Sequence, residues 1–132
     1  MTVILKTMDQ VPGASSVHGP ELSFRVSTVT AREIVRARVE AEVARYNNDA
    51  AQQRFVGLVA PAQIERELNG PPRQGRRPID AENQIEVALE AIRRGRVILM
   101  FNGAQVEDID APLLITPVSE ARFLKLVPLV GG

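Results

Sequence analysis

The chain has no cysteine, no tryptophan and one histidine, and only Lys6 and Lys125 among its 16 basic residues are lysines. Without thiols there is no disulfide framework, no thiol nucleophile and no thiolate metal site. One histidine cannot build a histidine-rich metal centre. Neither sign of charge prevails: 16 acidic residues balance the 16 basic ones. That argues against a nucleic-acid or membrane-surface partner held by bulk charge. No apolar run approaches the ~18 residues of a membrane span. The segment Met1–Lys6 lacks the pattern of a secretory signal, so a cytoplasmic location is expected. Aromatic residues are scarce at 4%, yet 45% of residues are apolar and 24% are charged, a globular composition. The 132 residues predict one domain over 1–132.

Apolar residues over Val3–Thr7 predict a short strand. The turn-rich run from Val11 to Pro20 predicts a loop that contains His18. Alternation over Leu22–Ser27 predicts a half-buried strand, and the two strands can pair as a hairpin. Thr30-Ala31-Arg32-Glu33 matches a capping box. A helix follows, with Ala31, Ile34, Val35, Val39, Val43 and Tyr46 on one face and Arg32, Arg36, Glu40 and Arg45 largely on the other. Asn47-Asn48 ends it.

Phe55–Val59 is apolar but too short to type. Pro61 suits a first helical turn, Ile64 and Leu68 are four apart, and Gly70 stops that short helix. The basic, breaker-rich stretch Asn69-Gly70-Pro71-Pro72-Arg73-Gln74-Gly75-Arg76-Arg77-Pro78 predicts a mobile loop near 69–79, either a solvated linker or a basic docking loop. A further helix is expected near 80–95, with Asp80 as its N-cap, Ile85, Ala88, Leu89 and Ile92 as its apolar face, and Gly95 closing it. Val97–Phe101 reads as a central strand, Asn102-Gly103 as a tight hairpin turn, and Gln105–Glu107 as the returning strand. Leu113–Ile115 is short and apolar. Phe123–Val127 is the last strand.

Enzyme constellations are nearly absent. His18 is a surface loop residue, and no strand–turn–helix elbow presents Ser15 or Ser16 as a nucleophile. Glu107, Asp108 and Asp110 cluster in a turn, where Asp side chains ordinarily bond to local backbone. No glycine-rich phosphate loop follows a strand. The chain therefore reads as a non-enzyme. The end is different: Gly131 and Gly132 follow a strand directly. Two terminal glycines stabilise nothing inside a fold. They do offer an unhindered carboxylate on a thin arm that can enter a narrow active site, where ATP can activate it as an acyl adenylate.

The segment Val97–Asp108 resembles the third strand, tight turn and fourth strand of ubiquitin, and Phe123–Gly132 resembles ubiquitin's last strand and Gly-Gly tail. The element order (hairpin, capped helix, strands, tail) is similar as well. The resemblance implies an α+β fold: a ubiquitin-like β-grasp, with a mixed sheet and one main helix, plus a helical insertion over 49–95 between the helix and the third strand. It implies a protein modifier, bacterial in style given the Ala/Arg bias. An E1-like enzyme would adenylate Gly132 and take it as a thioester, with Gly131 giving access. An E2-like enzyme would pass it to an amine of a target protein, and a deubiquitinase-like metalloprotease would remove it. The chain would be the substrate of this chemistry and hold no cofactor.

The tail departs from the family pattern. Leu126, Val127, Leu129 and Val130 make it apolar rather than basic, and Pro128 stiffens it. That implies a dedicated activating partner with an apolar channel. Lys6 and Lys125 are the only internal acceptor lysines, so single attachments are expected rather than long polymers. Val106, Leu114 and Leu126 are either a docking surface or core. Two other readings compete: a sulfur carrier with a C-terminal thiocarboxylate, and a β-grasp interaction domain that is never conjugated.

Overall fold

A computed structural model of the chain describes residues 2–48, 58 and 79–126. The expected short helix at 61–70 and the loop near 69–79 lie almost wholly outside the described residues. Among the described residues the fold is α+β, with a mixed sheet and two helices.

The first strand, β1, spans Val3–Gln10 and runs past the expected end at Thr7. Its extension is held by pairing, not by apolar alternation: Lys6–Gln10 lie beside Glu120–Leu124 in parallel register. Within the expected loop, Val17–His18 forms β2, antiparallel to Met8–Asp9. His18 is thus an exposed strand residue and not a loop residue. Leu22–Phe24 forms β3 and pairs with Val3–Leu5. The strand expected over Leu22–Ser27 stops there, because the chain bends at 25–27 to reach β4, Thr28–Thr30.

Helix α1 spans Ala31–Asn48. Its capping box forms: the Glu33 N–H donates to Thr30 Oγ1 at 3.2 Å. All six predicted apolar-face residues, from Ala31 to Tyr46, are buried. Helix α2 spans Ala81–Arg93, and the Asp80 side chain accepts from the Glu82 N–H. Gly95, at φ +73°, ends it as the Gly95 N–H donates to Ile92 O at 3.1 Å and the Arg96 N–H to Ala91 O at 2.9 Å. The two helices pack together. Arg36 reaches Glu82, and Asn47 holds both backbone groups of Ile79.

Strand β5 is Val97–Phe101 and β6 is Ala104–Gln105. Asn102 and Gly103 take φ of 52° and 84°, so the turn is the tight type that this pair favours. The returning strand is shorter than expected; beyond it only the Val106 N–H reaches back, to Leu99 O. Strand β7, Pro112–Leu114, pairs with β4 in a separate two-stranded sheet. Strand β8, Glu120–Lys125, starts earlier than the apolar pattern beginning at Phe123 implies. Its first residues are secured by the Asn102 side chain, whose Oδ1 accepts from the Glu120 N–H at 3.0 Å.

The main sheet runs β2-β1-β8-β5-β6, with β3 also on β1. Among the described strands only β1 and β8 pair in parallel; β5 is antiparallel to β8. Residues alternate between faces along each strand. Leu5, Val97, Leu99, Phe101, Ala121 and Phe123 point to the core, where Ile34, Val35 and Val39 of α1 and Ile85, Ala88 and Leu89 of α2 meet them. Met8, Ile98, Met100, Arg122 and Leu124 fall on the opposite face and are half-buried.

Candidate functional site

The strand leading to the predicted site is β8. Its inner residues, Ala121 and Phe123, are fully buried, and it is paired on both sides, with β1 from Glu120 to Leu124 and with β5 from Ala121 to Lys125. The ladder continues one residue further, as the Leu126 N–H donates to Arg96 O at 2.9 Å. Leu126 is half-buried. The predicted tail residues Val127, Pro128, Leu129 and Val130, and the predicted activation residues Gly131 and Gly132, lie outside the described residues.

The two predicted acceptor lysines sit in different surroundings. Lys6 is exposed, beside Glu120 in the parallel register. Lys125 is 29% exposed, and its Nζ lies 3.7 Å from Asp9 Oδ2. Of the possible docking residues, Leu114 is exposed on β7, whereas Val106 packs against the core.

Sequence reasoning missed the charged group beneath β8. Arg38 of α1 is only 2% exposed. Its guanidinium donates through both terminal nitrogens to the Asp9 carboxylate, with Nη2 at 2.6 Å from Oδ2. Its Nε lies 3.5 Å from Glu42 Oε1, a charge contact outside hydrogen-bond geometry. Its carbon is 4.6 Å from the centre of the Phe123 ring. Glu42 Oε1 also accepts from the Leu58 N–H at 3.2 Å.

Two strands and a helix build this group. Asp9 shares the inward parity of Leu5 and Thr7 on β1, and Phe123 is the inner residue of β8. Arg38 and Glu42 are one helical turn apart. A signal was present in the sequence: Arg38 stands within the stripe of Ile34, Val35 and Val39, so a charge interrupts an apolar face.

Burial works to raise the Asp9 pKa, but the hydrogen bonds and charge of Arg38, with help from Lys125, outweigh it and hold the carboxyl below its ordinary range. Burial pushes the Glu42 carboxyl up, against the opposing pull of the Arg38 charge and the Leu58 N–H. For Arg38, burial disfavours the cation, and Asp9 and Glu42 more than restore it. The chemistry of this group is anchoring. It ties α1 to the two parallel strands.

The other candidates take structural roles. Asp108 Oδ1 accepts from the Asp110 N–H at 2.9 Å, and the Asp110 carboxylate takes two bonds from Arg32, at 2.8 and 3.2 Å. Ser16 Oγ accepts from Arg122 at 2.8 Å. Among the described residues, no group of three or more His, Cys, Asp or Glu could hold a metal ion. Among them, too, no helix is long and apolar enough to cross a membrane. No protein-family model, no curated protein and no solved structure matches the chain.

Proposed function

We propose that the chain is a ubiquitin-like protein modifier of β-grasp layout, with residues 49–95 inserted between the main helix and the third strand of that layout. The strand order carries this reading. The last described strand, β8, lies between β1 and β5, parallel to the first and antiparallel to the second. A capped helix follows the β1–β3 hairpin and packs on one face. That arrangement agrees with the resemblance carried by Val97–Asp108 and Phe123–Gly132.

On this reading the tail leaves from the middle of the sheet, from a strand hydrogen-bonded on both sides. A carboxylate oxygen of Gly132 attacks the α-phosphorus of ATP on an E1-like enzyme, and pyrophosphate leaves. An enzyme thiol displaces AMP and forms a thioester, which passes to an E2-like thiol. An amine of the target protein attacks the thioester carbonyl, loses a proton and releases the thiol. A deubiquitinase-like metalloprotease reverses the attachment. Leu126 to Val130 form the apolar recognition stretch, and Gly131 keeps the arm thin. This chain supplies the carboxylate and no catalytic group.

The reading requires a free carboxylate on Gly132 in the cell. It is tested by recovering an N-terminally tagged copy from its host under denaturing conditions, beside a copy lacking Gly131 and Gly132, and analysing both by mass spectrometry. The expected result is target lysines carrying the tryptic remnant Leu126–Gly132, absent with the truncated copy. An intact mass with one carboxyl oxygen replaced by sulfur, and no adduct, overturns it in favour of a sulfur carrier. Two unmodified copies overturn it in favour of an interaction domain that is never conjugated.

A further inference from the structure

Both methionines among the described residues, Met8 and Met100, lie opposite the same residue. Arg122 of β8 is the register partner of Met8 on β1 and of Met100 on β5. Directly opposed residues share a face of the sheet, with Cβ atoms about 4.5–5.5 Å apart in antiparallel pairs. The three side chains therefore form one row across β1, β8 and β5, on the face away from the helices. All three are half-buried.

Arg122 is a strap within this row. Its Nη1 donates to Gln10 Oε1 at 2.9 Å and to Ser16 Oγ at 2.8 Å, and its Nη2 donates to Glu120 Oε2 at 3.3 Å. Gln10 and Glu120 stand on strands held by a five-residue ladder. Ser16 is different: it ends the turn at 11–16 and precedes β2, whose ladder is two residues long. The bond to Ser16 ties that turn to β8, 106 residues away.

Sulfur chemistry makes the row sensitive. The chain has no cysteine, so thioethers are its only sulfur. A thioether is a weak acceptor and a soft, apolar neighbour. Its sulfoxide is polar and carries an S=O oxygen. Beside a guanidinium, that oxygen competes for N–H donors now spent on an uncharged hydroxyl.

We propose that Met8 and Met100 are a paired oxidative modification site whose product rewires Arg122. Hydrogen peroxide transfers one oxygen atom to each thioether: its O–O bond breaks, an S=O bond forms, the sulfur is oxidised, and the peroxide leaves as water. The new oxygens draw Arg122 away from Ser16, and the turn at 11–16 is released from β8. The strands and the core beneath them keep their places. A sulfoxide reductase reverses the step, as the oxygen leaves as water and two thiols of the reductant become a disulfide. The proposal does not depend on the chemistry of Gly132.

The test is peroxide treatment of the folded full chain, read by peptide mass mapping and amide chemical shifts. One added oxygen is expected on each of Met8 and Met100. The amides at 14–17 are expected to move to the positions they hold in Arg122→Leu, which lacks the strap, while those of Leu5, Leu99 and Phe123 stay. Oxidising Arg122→Leu should cause no further movement at 14–17. The two epimer-specific sulfoxide reductases should restore the original spectrum. Met8→Leu with Met100→Leu should be inert to peroxide at these amides. The proposal is overturned if Met8 and Met100 stay unoxidised at a peroxide dose that converts free methionine. Oxidation that leaves the amides at 14–17 in place, or the same movement in the double leucine variant, overturns it too. Movement that spreads to Leu5, Leu99 and Phe123 would mean that oxidation unfolds the sheet, and overturns it as well.

Discussion

The Arg38 guanidinium carbon lies 4.6 Å from the centre of the Phe123 ring, beneath the strand that leads to the C-terminus. The same guanidinium is bonded twice to Asp9 on the parallel neighbour of that strand. One helical side chain thus spans the junction between the first and last strands, which are far apart in the chain.

Removing that cation alone should be costly. Arg38→Met leaves Asp9 and Glu42 in a largely buried site with Lys125 as the remaining partner, and breaking one side of a buried pair costs ~3–5 kcal/mol. The combined Arg38→Met, Asp9→Asn and Glu42→Gln variant should recover a large part of the loss, because no charge is then left uncompensated. Urea denaturation measures both. A loss below ~1 kcal/mol for the single variant would mean that the cluster does not hold α1 to the sheet.

The two carboxyls of the cluster should respond to pH with opposite signs. Asp9 has a folded pKa below its ordinary 3.8, so its contribution is fully present above 3.8 and is lost as pH falls through the folded value. Glu42 has a folded pKa above its ordinary 4.5, so the folded state holds its proton more tightly. Stability therefore declines as pH rises from 4.5 through the folded value of Glu42. Glu42→Gln should remove that decline and leave the acid limb in place. Asp9→Asn should flatten the acid limb. Urea midpoints between about pH 3 and pH 7 decide, and an unchanged profile in Glu42→Gln would contradict the assignment.

Leu99 and Ile34 face each other's layers across the core, and both are essentially inaccessible to water. Either one changed to Ala should cost ~2–5 kcal/mol, through lost transfer energy and the cavity left behind. A chemical-denaturation loss below ~1 kcal/mol at both sites would mean that the packing is wrong.

The turn at Asn102 separates backbone strain from side-chain bonding. Asn102→Gly keeps the positive φ accessible but removes the Oδ1 bond to the Glu120 N–H and the Nδ2 bond to Ser119 Oγ. Asn102→Ala removes the bonds and adds strain. The alanine variant should be the less stable of the two by ~1 kcal/mol. Equal thermal midpoints would show that the turn carries no strain.

Local features were legible in the sequence because each needs only its neighbours. The Thr30–Glu33 capping box, the apolar stripe of α1, the Asp80 and Gly95 ends of α2, and the Asn102-Gly103 turn all appear where the residues place them. The candidate site was legible only in part. The strand that precedes it could be read from its alternation, but of the charged group beneath it the sequence signalled only Arg38, within the apolar stripe of α1, and not its partners.

Tertiary structure alone decided the rest. Strand β1 extends to Gln10 because β8, more than 100 residues later, lies beside it. Thr28–Thr30 becomes a strand only because Pro112–Leu114 comes to meet it. Alternation marks which residues share a face but does not name the partner strand or the register. Arg38 is buried because an inward Asp9 and the Phe123 ring converge on it, and only folding brings these residues together. By itself the sequence determined the helices, the tight turn and the inner faces, since hydrogen-bond capping and apolar periodicity act over a few residues. The order of the strands and the charge at the centre of the fold depend on contacts whose loop closure and desolvation are offset only when the whole sheet forms.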